Sequence, residues 1–283
     1  MEINRIAVIG AGAMGTGIAY QAARFGIEVN LNDLKEEFIN KGMNTIKSMV
    51  KTGVDKGKID LKGAKAIIDG IHPVLDVTEA VKDVDMVVEA IYENMEAKKD
   101  LFKKMDAVAR PDTIFASNTS SLSVTEMASV TKRPDKVVGT HFFNPVPAMK
   151  LVEVVIGEKS SDETIETAVA FSKKLQKTPV KVKDSPGFIV NRILGALMGE
   201  AMKIYQEGLA SGEDIDTAMQ LGANHPVGPL TLADFVGLDI AKATAETLHK
   251  GYGDCYSVPK LLVEKVEKGE LGMKSGKGFF EYK

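Results

Sequence analysis

Six residues, Gly10-Ala11-Gly12-Ala13-Met14-Gly15, stand between a β-branched apolar run, Arg5 to Ile9, and a helical stretch that continues to about Phe25 and closes at Gly26. A glycine-rich turn alone is common, but a G-x-G-x-x-G turn entered from a strand and left by a helix admits few folds. Gly10 permits the tight turn, Gly12 leaves room for a pyrophosphate against the backbone, and Gly15 lets the helix pack close to the strand. Ala13 and Met14 open the helix, where unpaired N–H groups and a partial positive charge favour phosphates. Gly10, Gly12, Ala13, Met14 and Gly15 are therefore expected to line a dinucleotide. A second strand, Ile27-Glu28-Val29-Asn30-Leu31, runs out at Asn32-Asp33. Asp33 stands where an acid reaches the adenosine ribose hydroxyls, and its charge would repel a 2′-phosphate, which favours NAD over NADP. The alternative makes Asp33 the N-cap of a helix beginning at Leu34.

Residues 34–70 are too many for a simple crossover helix and read as a helical arm. Met43, Ile46, Met49 and Val50 give the arm an apolar face, while Lys47, Lys51, Lys56, Lys58, Lys62 and Lys65 make it basic. Two readings stand for these lysines: a solvated face, or a holder for a second, phosphorylated ligand beside the dinucleotide. Further strand signals follow at Ile71 to Leu75, Met86 to Ile91 and Thr113 to Ser117, with a helical pattern from Met95 to Ala109 between the last two. Such alternation predicts an α/β fold with a parallel, doubly wound sheet, whose ligands lie at the C-terminal ends of the strands. Three polar clusters fall at such ends: Glu93-Asn94, Asn118-Thr119-Ser120-Ser121, and His141 to Asn144.

The third cluster opens the stretch H-F-F-N-P-V-P-A-M-K-L-V-E, His141 to Glu153. His141 is expected at the mouth of a strand, Val137 to Thr140, and Glu153 inside a second apolar run, Leu151 to Ile156. A carboxylate in a buried strand needs a partner, because an unpaired buried charge is strongly disfavoured. The imidazole is the candidate: a carboxylate beside it fixes the tautomer and makes it a better general base. The plainer alternative is a structural histidine, with the acid paired to some lysine.

With these residues in view, the chain resembles the 3-hydroxyacyl-CoA dehydrogenases, and most closely the short bacterial 3-hydroxybutyryl-CoA dehydrogenases, over essentially its whole length. G-A-G-A-M-G, V-V-E-A-I-Y-E-N, A-S-N-T-S-S-L, H-F-F-N-P-V-P-A-M-K-L-V-E-V-V, D-S-P-G-F-I-V-N-R, G-A-N-H-P-V-G-P-L and S-G-K-G-F-F-E-Y appear in family order. The resemblance implies reversible, NAD-dependent oxidation of a (3S)-3-hydroxyacyl-CoA to the 3-ketoacyl-CoA. His141 corresponds to the base that takes the C3 hydroxyl proton, and Glu153 to the acid that orients and charges it. Ser120 and Asn191 correspond to contacts of the substrate oxygen at C3, and Asn144 to a polar residue close to the histidine. Glu93, Lys98 and Asn118 correspond to positions near the nicotinamide end of the cofactor, a lining to which Ser120 and Asn144 also belong. The basic arm corresponds to a helical pair that helps hold CoA, with Lys51 and Lys58 as phosphate contacts.

After a strand at Pro179 to Val182, Asp184-Ser185-Pro186-Gly187 breaks the pattern as a boundary should. Residues 1–185 are expected to form the dinucleotide-binding domain and residues 186–283 a smaller all-α domain, beginning with a long helix, Phe188 to Glu207, that carries Asn191 near its start. Met198, Met202 and Met219 leave this domain more apolar surface than it can bury alone, and the resemblance implies a homodimer formed through it, with a share in completing the substrate site. A net charge of −3 supplies no nucleic-acid or membrane footprint, and no apolar run approaches a membrane span. The single cysteine, Cys255, excludes an internal disulfide and has no metal-ligand neighbours, so a cytoplasmic protein without a bound metal is expected. His72, His225 and His249 carry no motif and read as structural. The competing readings are an NADH-sensing regulator on the same fold, a scaffold whose partner supplies catalysis, and a lyase or a dehydrogenase for another hydroxy acid.

Overall fold

Every residue of the first strand after Arg5 is buried, and the sheet grows outward from it on both sides. The structure, a computed structural model, describes residues 1–282. The chain divides into two compact units, one from Met1 to Asp184 and the other from Ser185 onward.

In the first unit, β1 (Arg5–Ile9), β2 (Glu28–Asn32), β3 (Ile71–Pro73), β4 (Met86–Glu89), β5 (Ile114–Ser117), β6 (Val137–Phe142), β7 (Leu151–Ile156) and β8 (Thr178–Lys183) form one sheet in the order 3-2-1-4-5-6-7-8. The helices are α1 (Ala13–Arg24), α2 (Glu36–Asp55), α3 (Leu61–Asp69), α4 (Val77–Val81), α5 (Met95–Asp106), α6 (Val124–Ala128) and α7 (Asp162–Lys174). The order reverses beside β1, which leaves a crevice at the C-terminal ends of β1 and β4, where sheets of this kind bind ligands. One continuous core joins α1, α2 and the sheet through Ile6, Val8, Ile18, Leu31, Ile39, Ile46 and Val152.

The parallel sheet expected from the alternation holds from β1 to β6 and stops there. β7 pairs antiparallel with β6, and β8 runs parallel to β7. The reason is chain length: residues 143–150 connect β6 to β7, fewer than the dozen or so that a parallel crossover requires. Antiparallel pairing also lengthens β6, so His141 lies within the strand and not beyond its end. The arm at 34–70 is a pair of helices, α2 and α3. Gly53 lets the connection between them pack against α2, since a Cβ there would meet Ile59 Cδ1 at 2.5 Å.

The second unit consists of α8 (Val190–Gln206), α9 (Gly212–Ala223), α10 (Pro229–Val236), α11 (Leu238–Tyr252) and α12 (Lys260–Glu267), with short 3-10 turns. Met198, Met202, Ile215, Leu230, Leu238 and Leu262 form its core. Asp234, 1% exposed, accepts the N–H groups of Phe279 and Phe280 and the Tyr282 hydroxyl, which pins the end of the chain to α10. Among the described residues, no helix is long and apolar enough to cross a membrane.

Candidate active site

The glycine turn has the sterics its spacing implies. Gly10 has φ +109°, and a Cβ on it would stand 2.5 Å from the Ala90 carbonyl oxygen. A Cβ on Gly15 would lie 1.8 Å from the Gly10 oxygen. Gly12 differs: nothing lies within 4 Å of the position its Cβ would take. It is also the N-cap of α1 and offers no side-chain cap, and Ala13 beside it is exposed, so the first N–H groups of the helix open on that space.

A cleft of about 400 Å³ runs from this turn along the ends of β1, β2 and β4, lined by Gly10, Gly12, Asp33, Leu34, Val77, Ile91 and Tyr92 among others. Asp33 Oδ2 accepts the Ala11 N–H at 2.7 Å, and Oδ1 accepts the Leu34 N–H at 2.7 Å. The carboxylate is thereby fixed at the cleft with acceptor capacity to spare. It is not the N-cap of α2, a position that Lys35 takes. An open Gly12, an uncapped helix N-terminus, an apolar cleft and one anchored acid together suit a dinucleotide.

His141 and Glu153 are register partners across β6 and β7, on the same face of the sheet. His141 Nδ1 lies 2.7 Å from Glu153 Oε2, with the two residues 6% and 1% exposed. Phe143 packs against the imidazole at a centroid distance of 4.4 Å. Asn118 Oδ1 accepts the Phe142 N–H at 2.9 Å and so ties the end of β5 to the strand that carries the histidine.

Ser120 lies on the segment after β5, and its backbone N–H donates to Glu93 Oε1 at 2.7 Å. Thr119 donates its hydroxyl to the same oxygen at 2.6 Å. Glu93 Oε2 is 3.1 Å from Lys98 Nζ, and Lys98 also pairs with Glu89 Oε1 at 2.6 Å. Burial raises the Glu93 pKa, but the Lys98 charge and the bonds from Thr119 and Ser120 outweigh it and hold this carboxyl below its ordinary value. The structure thus gathers Glu93, Lys98 and Ser120 into one network. Asn144 is exposed on the connection after β6, and Asn191 lies in the first turn of α8 in the second unit.

A further cleft, about 420 Å³, opens between α1, α2 and the connection after β6. Arg24, Lys56 and Lys58 line it together with Tyr20 and Pro147, whereas Lys51 is exposed and does not line it. The sequence singles out Lys58 but not Arg24, which stands at the end of the glycine-turn helix, outside the arm. Lys177 is another residue the motifs pass over. It is 7% exposed and donates to the Val146 and Met149 carbonyls at 2.5 and 2.8 Å, which holds the connection between β6 and β7. Burial pushes its ammonium pKa down, and the Arg24 charge adds to the shift. Among the described residues, no group of three His, Cys, Asp or Glu is arranged to hold a metal ion.

The chain matches the model of the 3-hydroxyacyl-CoA dehydrogenase NAD-binding domain over residues 5–185, and that of the 3-hydroxyacyl-CoA dehydrogenase C-terminal domain over residues 187–282. It is 47% identical to a probable 3-hydroxybutyryl-CoA dehydrogenase of Bacillus subtilis, over 100% of this chain and 98% of that one. It is also 47% identical to the 3-hydroxybutyryl-CoA dehydrogenase of Clostridioides difficile, over 98% and 99% of the two chains. In three dimensions it matches the crystal structure of (S)-3-hydroxybutyryl-CoA dehydrogenase from Ralstonia eutropha with a TM-score of 0.97 at 41% identity, covering all of both chains.

Proposed function

The chain belongs to the 3-hydroxyacyl-CoA dehydrogenase family, and from that premise we propose that it interconverts (3S)-3-hydroxybutyryl-CoA and acetoacetyl-CoA, with His141 as the base and acid. It is an NAD-dependent oxidoreductase acting on 3-hydroxyacyl-CoA thioesters. The observation that supports the role of His141 is its buried contact with Glu153, 2.7 Å from Nδ1 to Oε2. With Nδ1 committed to the carboxylate, Nε2 is the nitrogen that exchanges a proton with the substrate oxygen.

In oxidation, His141 takes the C3 hydroxyl proton, and in reduction the imidazolium returns it. NAD, when bound, supplies the hydride acceptor for C3. Glu153 is buried in the sheet, so its charge acts on the imidazolium with little screening by water. Ser120 holds the C3 oxygen by its hydroxyl while its backbone N–H is fixed to Glu93. Such orientation of the reacting atoms contributes on the order of several kcal/mol. For Asn191, in the second unit, we retain the role of a second contact to that oxygen. Gly12 and the N-terminus of α1 would hold the pyrophosphate, and Asp33 the adenosine ribose. Arg24, Lys56 and Lys58 would hold the phosphates of CoA.

The second unit leaves Ile193, Leu221, Phe235 and Ile240 more than half exposed. These support a homodimer formed through that unit, in the cytoplasm, where a protein with one exposed free cysteine stays reduced. The test of the activity is the loss of reduced-nicotinamide absorbance with acetoacetyl-CoA, comparing NADH with NADPH and the wild type with His141→Ala. Rapid NADH oxidation that disappears in the variant is the expected result. A wild type that binds NADH but consumes none of it would refute the substrate.

A further inference from the structure

Glu89 closes β4, a strand otherwise made of Met86, Val87 and Val88, and it has no exposed surface. A carboxylate there carries a large desolvation cost unless charge and hydrogen bonds offset it. Three groups donate to it in the network. Lys98 Nζ and the Ile91 N–H donate to Oε1 at 2.6 and 2.8 Å, and the Ser117 hydroxyl donates to Oε2 at 2.6 Å. Lys98, 1% exposed, then reaches Glu93, which in turn accepts the Ser120 N–H. A line of direct contacts therefore runs from the rigid end of β4 to the backbone of Ser120.

We propose that Glu89 is a positioning residue for the reaction, fixing Ser120 through Lys98 and Glu93; the proposal rests on the reading above that Ser120 holds the substrate oxygen. Ser120 and Glu93 both lie on irregular segments, after β5 and after β4, outside the strands and helices. Lys98 comes from α5 and bridges to both acids. Glu89 is the member of the line that belongs to the sheet. In Glu89→Gln the shape survives, the amide oxygen can still accept from Ile91 and Lys98, and the Ser117 hydroxyl can turn to accept from the amide N–H, but Lys98 loses the charge of one carboxylate. It then draws on Glu93 alone, and that carboxylate moves away from Thr119 and Ser120.

A double-mutant cycle tests this, with kcat, the NADH dissociation constant from fluorescence and the melting temperature measured for the wild type, Glu89→Gln, Ser120→Ala and the double variant. Displacing Ser120 by a fraction of an ångström to an ångström is expected to lower kcat about ten- to a hundredfold in folded Glu89→Gln. The same change made on Ser120→Ala is expected to cost less than about threefold, because the group being positioned is gone. Equal losses in both backgrounds, or an unchanged kcat in folded Glu89→Gln, would overturn the proposal. Should Glu89→Gln fail to fold, Glu89→Asp keeps the charge but draws it back from Lys98 and completes the same cycle. Amide hydrogen exchange at Ser120 reads the link without turnover: faster exchange in Glu89→Gln supports it and an unchanged rate refutes it. That readout stands even if acetoacetyl-CoA proves not to be the substrate, so failure of the substrate reading and failure of this one are separable.

Discussion

His141 and Glu153 face each other across the only antiparallel junction among the named strands of the sheet, Nδ1 to Oε2 at 2.7 Å. Directly opposed residues on one face of such a pair have Cβ atoms about 5 Å apart, close enough for short side chains to meet without strain. The hairpin therefore makes the contact as a consequence of its register, and both residues are buried there.

Replacing Glu153 by Gln keeps the volume but removes the charge, and the amide can turn its N–H toward Nδ1 and stabilise the wrong tautomer. Turnover is expected to fall by about a hundredfold, within the range usual for general acid–base catalysis. NADH affinity should hold and the pH–rate profile should be displaced, a change that loss of packing alone does not produce. His141→Ala should cost at least as much. A fully active Glu153→Gln enzyme would show the pair to be structural.

Two of the fingerprint glycines, Gly12 and Gly15, should fail in different ways. Gly12→Ala places a methyl in open space, so the melting temperature of the apoprotein should hardly change. Its Cβ would crowd a bound pyrophosphate, and overpacking of about 1–3 kcal/mol corresponds to roughly a five- to hundredfold loss of NADH affinity. Gly15→Ala forces a carbon to within 1.8 Å of the Gly10 oxygen and should prevent folding or lower the melting temperature severely. Calorimetry and NADH titration of both variants separate the two effects.

Asp33→Asn retains an oxygen for the Ala11 N–H but removes the negative charge from the cleft. Two like charges about 4 Å apart repel by roughly 1–4 kcal/mol between fully solvated and surface limits. The NADH:NADPH ratio of kcat/KM is therefore expected to fall about tenfold or more, mostly through improved use of NADPH. An unchanged ratio would assign cofactor choice to other residues.

The cleft beside α1 and α2 separates the lysines that the arm leaves equivalent in sequence. Arg24→Ala, Lys56→Ala and Lys58→Ala should each raise the KM for acetoacetyl-CoA from a few-fold to about thirtyfold, as expected for a lost charge-assisted hydrogen bond. Lys51→Ala should do less, since Lys51 does not line the cleft. Acetoacetyl-pantetheine, which lacks the nucleotide phosphates, should be indifferent to all four substitutions.

Some of this was legible because the signal is local. The glycine turn could be read because Gly10 and Gly15 answer to a steric neighbour a few residues away or on the adjoining strand, and Gly12 to open space at the start of the helix. The pairing of His141 with Glu153 could be read because a short connection returns one strand beside the other. The same short connection carried the antiparallel direction of β7, which strand–helix alternation hides. Glu89 was present in V-V-E-A but unassignable, since its partners come from a helix nine residues on and from the end of another strand. Arg24 was hidden for a similar reason, and Lys56 stood undistinguished among the lysines of the arm: only the packing of α1 against α2 decides which cations share a cleft.

Glu93 makes the network around Ser120 sensitive to acid. Its carboxyl is held below the ordinary value of 4.5, because the Lys98 charge and the bonds from Thr119 and Ser120 exceed the opposing effect of burial. A carboxyl with a depressed folded-state pKa stabilises the native state fully above its unfolded value, and that contribution is lost as pH falls through the folded value. The wild type should therefore lose stability progressively below about pH 4.5, beyond the loss common to its other carboxylates. Glu93→Gln lacks the contribution at every pH. The difference in urea midpoint between the wild type and Glu93→Gln should be constant from neutrality to about pH 5 and shrink below it. A difference that stays constant down to pH 3 would mean that Glu93 is not held ionised by Lys98, and the line from Glu89 to Ser120 would lose its middle member.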